Sequence, residues 1–518
     1  MKITQVFLFF AVVLALLAAM WRFYPAGGVE AFGRTWRFPS YADAALVEEP
    51  AVDVDSVLAA LNASTDMQYS SSLQDSVQFF REYLTSHPAR IALPGDDLTY
   101  FDLVFNSFEN AVTSGKVYRV MHYGDSQIEL DRISSVLRQR LQERFGGSGP
   151  GMIPPVQQVP SISVVQRAWN LPLYAVYGDS TTHRARHRRY GVMTRFAPVR
   201  DTASVTFSQT NNSHAFDGVK TISRVSVLLA PDSTGVSVGL GTAVLRRTDT
   251  LSGHGEVVLR TWELPAPVRR GTLTFRGKAD IYGVMLDGAP GVTVDNVPLR
   301  GCSGTIFTAI DPSSMRQAFE LLDVRMILLQ FGGNRMPSLN KSSDISAYMR
   351  EMVRQIAYFR SVAPHAALLF IGPADMARSY DGQLSTWKGL VALNDSLRST
   401  MLHHGVAYWD MFRVMGGEES MVQYVNHAPP LAGPDYIHFT HQGAQEIGAA
   451  LAASLDMCYE FYCLRKKWRD TDLFDWMRRP EAVSPDTLTD TQTDTFRTPF
   501  PILPEVDAQV INETSDML

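Results

Sequence analysis

The spacing of apolar positions changes character twice along the chain. In Val117-Tyr118-Arg119-Val120-Met121-His122-Tyr123 β-forming residues dominate, and Gly124-Asp125-Ser126 reads as a turn. Ile133, Val136, Leu137 and Leu141 then recur at helical spacing, so one strand–turn–helix unit is predicted over 117–144. The glycine cluster over 146–151 ends it. Beyond residue 155 helical periodicity fades. Short β-branched runs such as Ser204-Val205-Thr206-Phe207, Val225-Ser226-Val227-Leu228-Leu229 and Gly255-Glu256-Val257-Val258-Leu259 are separated by turn residues, the pattern of an all-β sandwich. After residue 300 strands alternate with helices again. Arg325–Phe331, Ala366–Ile371 and Val406–Trp409 read as strands, and Ser343–Val362, Leu384–His403 and Thr440–Leu455 as helices. That alternation implies a parallel sheet. The β region is therefore expected to be inserted into an α/β domain after its first strand–helix unit.

The two ends differ from this body. Val6–Trp21 is an apolar run between Lys2 and Arg22. As a helix it would be about 24 Å long, against a hydrocarbon core of about 30 Å, so it reads as an uncleaved signal anchor or as the core of a cleaved signal peptide. Either reading puts the rest of the chain outside the cytoplasm, in the periplasm or cell envelope or secreted. Residues 25–95 are mixed and polar, with one helical stretch over Val57–Tyr83, and read as a lead-in or stalk. The end of the chain is rich in Asp, Thr and Pro without periodicity and reads as a disordered tail. The expected divisions are 1–24, 25–95, 96–154 (first part of the α/β domain), 155–295 (β insert), 296–465 (second part) and 466–518 (tail).

Composition narrows the function. Of 518 residues 45% are hydrophobic and 19% charged, enough to bury a large core, and the net charge of -6 offers no basic excess for a nucleic-acid partner. Three cysteines cannot build a disulfide framework. Cys458 and Cys463 could pair in an oxidising compartment, although five residues apart on a continuous helix they would not face each other. Cys302 reads as a small core residue. There is no His-Glu-x-x-His, Walker loop or Cys-x-x-Cys, and the simplest mechanism uses neither metal nor cofactor.

Four segments carry residues suited to nucleophilic chemistry. Ser126 stands where a strand feeds a helix, a position that exposes a hydroxyl and sets its N–H near a helix start. Asp435-Tyr436-Ile437-His438 puts a carboxylate three residues before an imidazole, so the His can take a serine proton while the Asp orients it. Gly332-Gly333-Asn334 ends a strand with an amide that can donate to a developing oxyanion. Gly301, at the return from the β region, offers a backbone N–H. Each alone also reads as ordinary structure: a helix N-cap serine, a helix-start Asp beside a surface His, a strand-ending turn. His441, His403 and His404 lack such a pattern and are read as structural.

Taken in chain order, Gly124-Asp125-Ser126, Gly301, Gly332-Gly333-Asn334 and Asp435-Tyr436-Ile437-His438 resemble the blocks of the SGNH (GDSL-type) hydrolase superfamily. The resemblance covers roughly 115–150 and 295–455. Many members follow the block-three Asn with Asp, where this chain has Arg335, which puts the usual support of that loop in question. The β insert, with His122–Glu129 and Gly146–Gly151, narrows the likeness to bacterial peptidoglycan O-acetylesterases carrying an inserted carbohydrate-binding-like module. The resemblance implies a three-layer, flavodoxin-like α/β domain with a jelly-roll-like insert. It also implies a serine esterase acting on an O-acetylated glycan, with Ser126 as nucleophile, His438 as base and Asp435 orienting it. Ser126 N–H, Gly301 N–H and Asn334 would form the oxyanion hole, with Gly304 as the competitor of Gly301. An O-acetyltransferase with the same triad and a noncatalytic glycan-binding envelope protein are the alternatives. In the insert, Trp169, Tyr174, Tyr177, Tyr190 and Trp262 are candidates for stacking on sugars or for the core, and Arg184–Arg189 is either a solvated loop or a contact for a polyanionic glycan.

Overall fold

A computed structural model describes residue 12, residues 29–31, 34–36, 53–63, 73–178, 182–468 and 473–474. Apart from Val12, the apolar N-terminal run lies outside the described residues, as does nearly all of the expected tail. So does 64–72, and the expected single helix over 57–83 is described as two, Val54–Ala63 and Leu73–Ser86.

Two sheets organise the molecule. After a short hairpin of β1 (Val29–Ala31) and β2 (Arg34–Trp36), strands β3 (Ile91–Ala92) and β4 (Val117–Gly124) enter the first sheet. The chain then makes nine strands elsewhere: β5 (Gly151–Ile153), β6 (Val164–Trp169), β7 (Tyr174–Ala175), β8 (Arg195–Val199), β9 (Thr202–Gln209), β10 (Ile222–Thr242), β11 (Arg246–Leu251), β12 (Val258–Val268) and β13 (Arg270–Asp287). It returns to the first sheet through β14 (Gly291–Pro298), β15 (Val324–Gln330), β16 (Ala367–Ile371) and β19 (Ala407–Trp409), with a small hairpin of β17 (Ala377–Tyr380) and β18 (Gln383–Thr386) on the way. The first sheet has the order β14-β4-β15-β16-β19-β3, parallel except for the edge strand β3.

Strand periodicity explains its layers. Successive side chains point to opposite faces. Val120, Met326, Leu328, Leu369 and Ile371 accordingly pack into one apolar cluster with the helices Asp102–Glu109 and His441–Trp468, while Met121, Tyr123, Ile327, Leu329 and Phe370 pack into another with Ser342–Val362 and Leu390–His403. Both faces being covered, the strands read as nearly continuous apolar runs. The helix expected from Leu384 starts at Leu390, because residues 377–386 pair as the hairpin and Gly389 turns with φ of 92°. The last helix runs on to Trp468. By length and composition alone it could cross a membrane, but 78% of its apolar window is buried in the protein, which makes it a core helix.

The antiparallel strands form one hydrogen-bonded nine-stranded network. Its spine is the long pair β10 and β13, and each half of these strands carries different partners. β10 pairs β12 through Ile222–Leu229 and β11 through Val236–Gly241; β13 pairs β9 through Arg270–Arg276 and β8 and β5 through Ala279–Leu286. The register breaks between Pro231 and Val236, where a proline cannot donate to the ladder, and there the spine changes course. Val227, Val238, Leu273 and Phe275 lie in its own apolar cluster.

The two sheets are joined by a buried charge cluster. Arg119 on β4 donates to Asp295 on β14 at 3.0 Å and to Asp287 at the end of β13, and Asp295 also accepts the Met152 N–H of β5 at 2.7 Å. All three charged side chains are at most 5% exposed. Removing one partner of such a set leaves uncompensated buried charge. Arg119→Met should therefore lower unfolding free energy by about 3–5 kcal/mol in denaturant titration; a loss within experimental error would refute the role given to this cluster.

A second buried network lies under the C-terminal ends of the strands. His122 Nε2 is 3.0 Å from Gln330 Oε1 and Nδ1 is 2.9 Å from Ser134 Oγ. Asn296 donates to the same Ser134 oxygen at 2.7 Å, so the Ser134 hydroxyl proton goes to His122 Nδ1 and the ring is neutral with its proton on Nε2. Burial pushes the His122 pKa down to about 4. The unfolded chain protonates this ring below about 6.5, so its contribution to stability is complete above that pH and falls as the pH drops toward 4. Between pH 7 and pH 5 the wild type should lose about 2 kcal/mol more than His122→Gln; equal losses would contradict the assignment.

Candidate active site

Parallel register builds the site. Gly124 of β4 stands opposite Pro298 of β14 on one side and Gln330 of β15 on the other. The three strands end level, sealed by Leu299 N–H to the Gly124 carbonyl (2.8 Å) and Asp125 N–H to the Gln330 carbonyl (3.3 Å). Ser126, Gly301 and Asn334 follow these ends by two, three and four residues, and all three line one cavity of about 600 Å³. Its wall is otherwise largely apolar, with Phe331, Pro373, Met376 and Trp387.

His438 reaches the same cavity from the loop before the last helix. Its Nε2 is 2.7 Å from Ser126 Oγ, and its Nδ1 is 2.7 Å from Asp435 Oδ2. Asp435 Oδ1 accepts the N–H groups of Ile437 (3.1 Å) and His438 (3.0 Å). Partial burial works against ionisation of Asp435, but these hydrogen bonds outweigh it and hold the carboxyl below its ordinary range. The loop closes tightly: Gly433 N–H meets the His438 carbonyl at 2.8 Å, and Tyr436 takes a left-handed φ of 56°. The four segments singled out in the sequence therefore converge.

The Ser126 turn departs from the expected strand–helix junction. Ser126–Asp131 is a kinked 3-10 turn with Leu130 and Asp131 at positive φ, and the α-helix starts only at Ser134. Arg138 pins the turn by gripping both oxygens of Asp131 (2.7 and 3.0 Å).

The side chains that hold the site together were not singled out in the sequence. Gln127 donates to the Ile437 carbonyl (2.6 Å) and accepts from Phe439 N–H (3.4 Å); Arg132 donates to the carbonyls of Phe439 (2.6 Å), Glu129 (3.1 Å) and Ser126 (3.2 Å). They bolt the Ser126 turn to the His438 loop from two sides. Asp125 accepts Gln127 N–H (3.0 Å) through one oxygen and the Asn334 amide (3.0 Å) through the other, and burial raises its pKa to about 6. Asn334 also donates to the Cys302 carbonyl at 3.3 Å. The support of the Asn334 loop thus comes from Asp125, while Arg335 lies over the Tyr348 ring, 5.5 Å from its centre. Gly332 turns into this loop with φ of 133°.

Of the two glycines, Gly301 fits the site. It lines the cavity with φ of 74°, and its carbonyl accepts from the Tyr177 hydroxyl at 2.8 Å. Gly304 is absent from the cavity lining, its N–H is 3.3 Å from Cys302 Sγ, and a Cβ there would strike the Phe331 ring.

Other candidates fall into place. Cys302 is buried and its thiol is pushed up to about 12. Cys458 and Cys463 are both free thiols on the last helix. His441 lies against His214, ring centres 3.8 Å apart and planes tilted by 40°, and burial lowers its pKa to about 4. Arg184, Arg188 and Arg189 donate to the backbone carbonyls of Ala175, Ala309 and Gly255, so much of that basic segment is tied to the protein. Trp262 is buried and donates to Asp249 at 2.7 Å; Trp169 is exposed. A Gly-x-Ser-x-Gly match at Gly235–Gly239 lies within β10 with neighbours on both sides, so Ser237 is on no strand-to-helix elbow. Among the described residues no three metal-ligating side chains cluster.

Comparison with known proteins bears on the fold. Residues 269–446 match the GDSL-like Lipase/Acylhydrolase family, a stretch that includes Gly301, Asn334, Asp435 and His438. Ser126 falls before it, separated by the antiparallel strands. A solved peptidoglycan O-acetylesterase superposes with a TM-score of 0.56 at 21% identity, covering 70% of this chain and 96% of its own. A family two carbohydrate esterase from Clostridium thermocellum, 10% identical and covering 55% of this chain and 98% of its own, superposes with a TM-score of only 0.24. No curated protein matches the sequence. The chain thus carries the SGNH hydrolase fold of the GDSL-like acylhydrolases and is related in architecture to a peptidoglycan O-acetylesterase.

Proposed function

We propose that the protein is an extracytoplasmic serine esterase that removes O-acetyl groups from a polysaccharide, peptidoglycan being the favoured substrate, through an acetyl-enzyme. The observation that carries this is the continuous hydrogen-bonded line from Ser126 Oγ through His438 to Asp435 at the cavity floor. Peptidoglycan is favoured by the solved O-acetylesterase that shares the fold, and an extracytoplasmic place by the apolar run Val6–Trp21.

In this reading His438 Nε2 takes the Ser126 proton as Oγ attacks the acetyl carbonyl. Ser126 N–H, Gly301 N–H and the Asn334 amide receive the oxyanion. Asn334 has its two amide protons on Asp125 and, at the longer 3.3 Å, on the Cys302 carbonyl; the latter is the one freed for the oxyanion. The departing sugar oxygen takes the proton back from His438. Water, deprotonated by the same imidazole, then releases acetate and restores Ser126. A sugar hydroxyl in place of that water would make the same site an O-acetyltransferase, and product analysis with acceptor glycan separates the two. The antiparallel sheet is read as the part that helps to hold the glycan.

Acetate release from O-acetylated peptidoglycan, beside O-acetylated plant glycans, tests the reading. Ser126→Ala should lower turnover by roughly 10⁴-fold or more with the fold intact, and substantial residual release would reject Ser126 as nucleophile. Asn334→Ala should cost roughly 10²–10³ in kcat, with a much smaller change in glycan binding. A fully active Asn334→Ala protein would remove that side chain from the oxyanion hole.

A further inference from the structure

A second cavity, of about 570 Å³, adjoins the catalytic one and shares Glu129, Leu130 and Arg300 with it. It lies between the Ser126–Asp131 turn, the loop around Gln157–Ser161 and the antiparallel sheet, which contributes Met152 and Arg195. Three guanidinium groups and two carboxylates line it. Both carboxylates are already taken: Asp131 by Arg138, and Glu129 by Arg300 through two hydrogen bonds of 2.7 Å.

Arg195 is the charge left over. It is 8% exposed. Its Nε donates to the Met193 carbonyl (3.3 Å), Nη1 to Gln158 Oε1 (2.7 Å) and Nη2 to the Pro298 carbonyl (3.0 Å), all neutral acceptors. Among the described residues no carboxylate stands within ion-pair distance of it. A guanidinium has five N–H donors, and these contacts use three. Burial with no opposing charge lowers its pKa to about 10. An arginine desolvated without a counter-ion is costly to keep, and a planar fork of free donors beside an open cavity suits a carboxylate.

We infer that this second cavity is a subsite for a carboxylate borne by the glycan substrate, with Arg195 as its counter-charge. The inference rests on the esterase reading for its link to catalysis, because the shared Glu129–Arg300 ridge places the subsite beside the acetyl-bearing end. The carboxylate is either that of the lactyl group of a muramic acid bearing no peptide or that of a uronic sugar, and the test separates these sources.

Calorimetric titration of the full chain with N-acetylmuramic acid, N-acetylglucosamine and glucuronic acid reads the subsite without catalysis. At least one acidic sugar should bind about tenfold or more tightly than N-acetylglucosamine, and which one identifies the source. Arg195→Met should abolish the difference, Arg195→Lys should restore part of it, and 4-nitrophenyl acetate hydrolysis should stay within about twofold in both variants. Equal binding of acidic and neutral sugars by the wild type, or no binding of any, overturns the inference even if Arg195→Met fails to fold. So does a preference that survives in folded Arg195→Met. Absence of 4-nitrophenyl acetate hydrolysis by the wild type would count instead against the esterase reading, leaving the subsite to the sugar titrations.

Discussion

The site depends on three parallel strands ending level. With β4 between β14 and β15, and Gly124 opposite both Pro298 and Gln330, residues more than 200 positions apart leave one sheet edge together. A slip of one residue in either pairing would turn the strand's side chains to the opposite face. It would also displace Gly301 or Asn334 from Ser126. The register is guarded from beneath by polar groups that cannot be left unpaired: the His122–Ser134–Asn296 network crosses from β4 to β14, and His122–Gln330 crosses from β4 to β15. Because these groups are buried, a shifted register would strand them without partners.

The fourth component, the Asp435–His438 loop, lies on no neighbouring strand. Gln127 and Arg132 bring it in by donating to its carbonyls on either side of His438. Both belong to the turn that carries Ser126, so Ser126 and His438 are positioned by the same short segment. The kinked geometry of that turn, with two non-glycine residues at positive φ, is accounted for by what it holds: Asp131 against Arg138, Glu129 against Arg300, and Gln127 and Arg132 against the His438 loop.

Much of this was legible in the sequence, for reasons that are local. Strand β15 was expected over Arg325–Phe331 and found at Val324–Gln330, since a buried parallel strand is a continuous apolar run. Ser126, Asn334, Asp435 and His438 could be found because their neighbours, glycines and short turns, mark strand ends. What could not be read depends on distant pairing. Nothing near Gln127 shows that its amide meets Ile437, and nothing near Arg195 shows that it lacks a carboxylate. That the antiparallel strands join into one network, with β10 and β13 changing partners near Pro231, is a matter of register and not of composition. Only the end of the hairpin, Leu384–Thr386, was read as helix, as the start of the expected Leu384–His403, because the cross-strand pairing that claims these residues is not a local signal.

The claim that unites these features is that Ser126 carries the acyl group during turnover. Mass spectrometry of the protein, acid-quenched during turnover of O-acetylated peptidoglycan, tests it most directly. An acetyl increment confined to the peptide containing Ser126, and lost in a His438→Ala variant, is the predicted result. Acetate release at full rate with no acetyl group ever found on Ser126 would contradict the account.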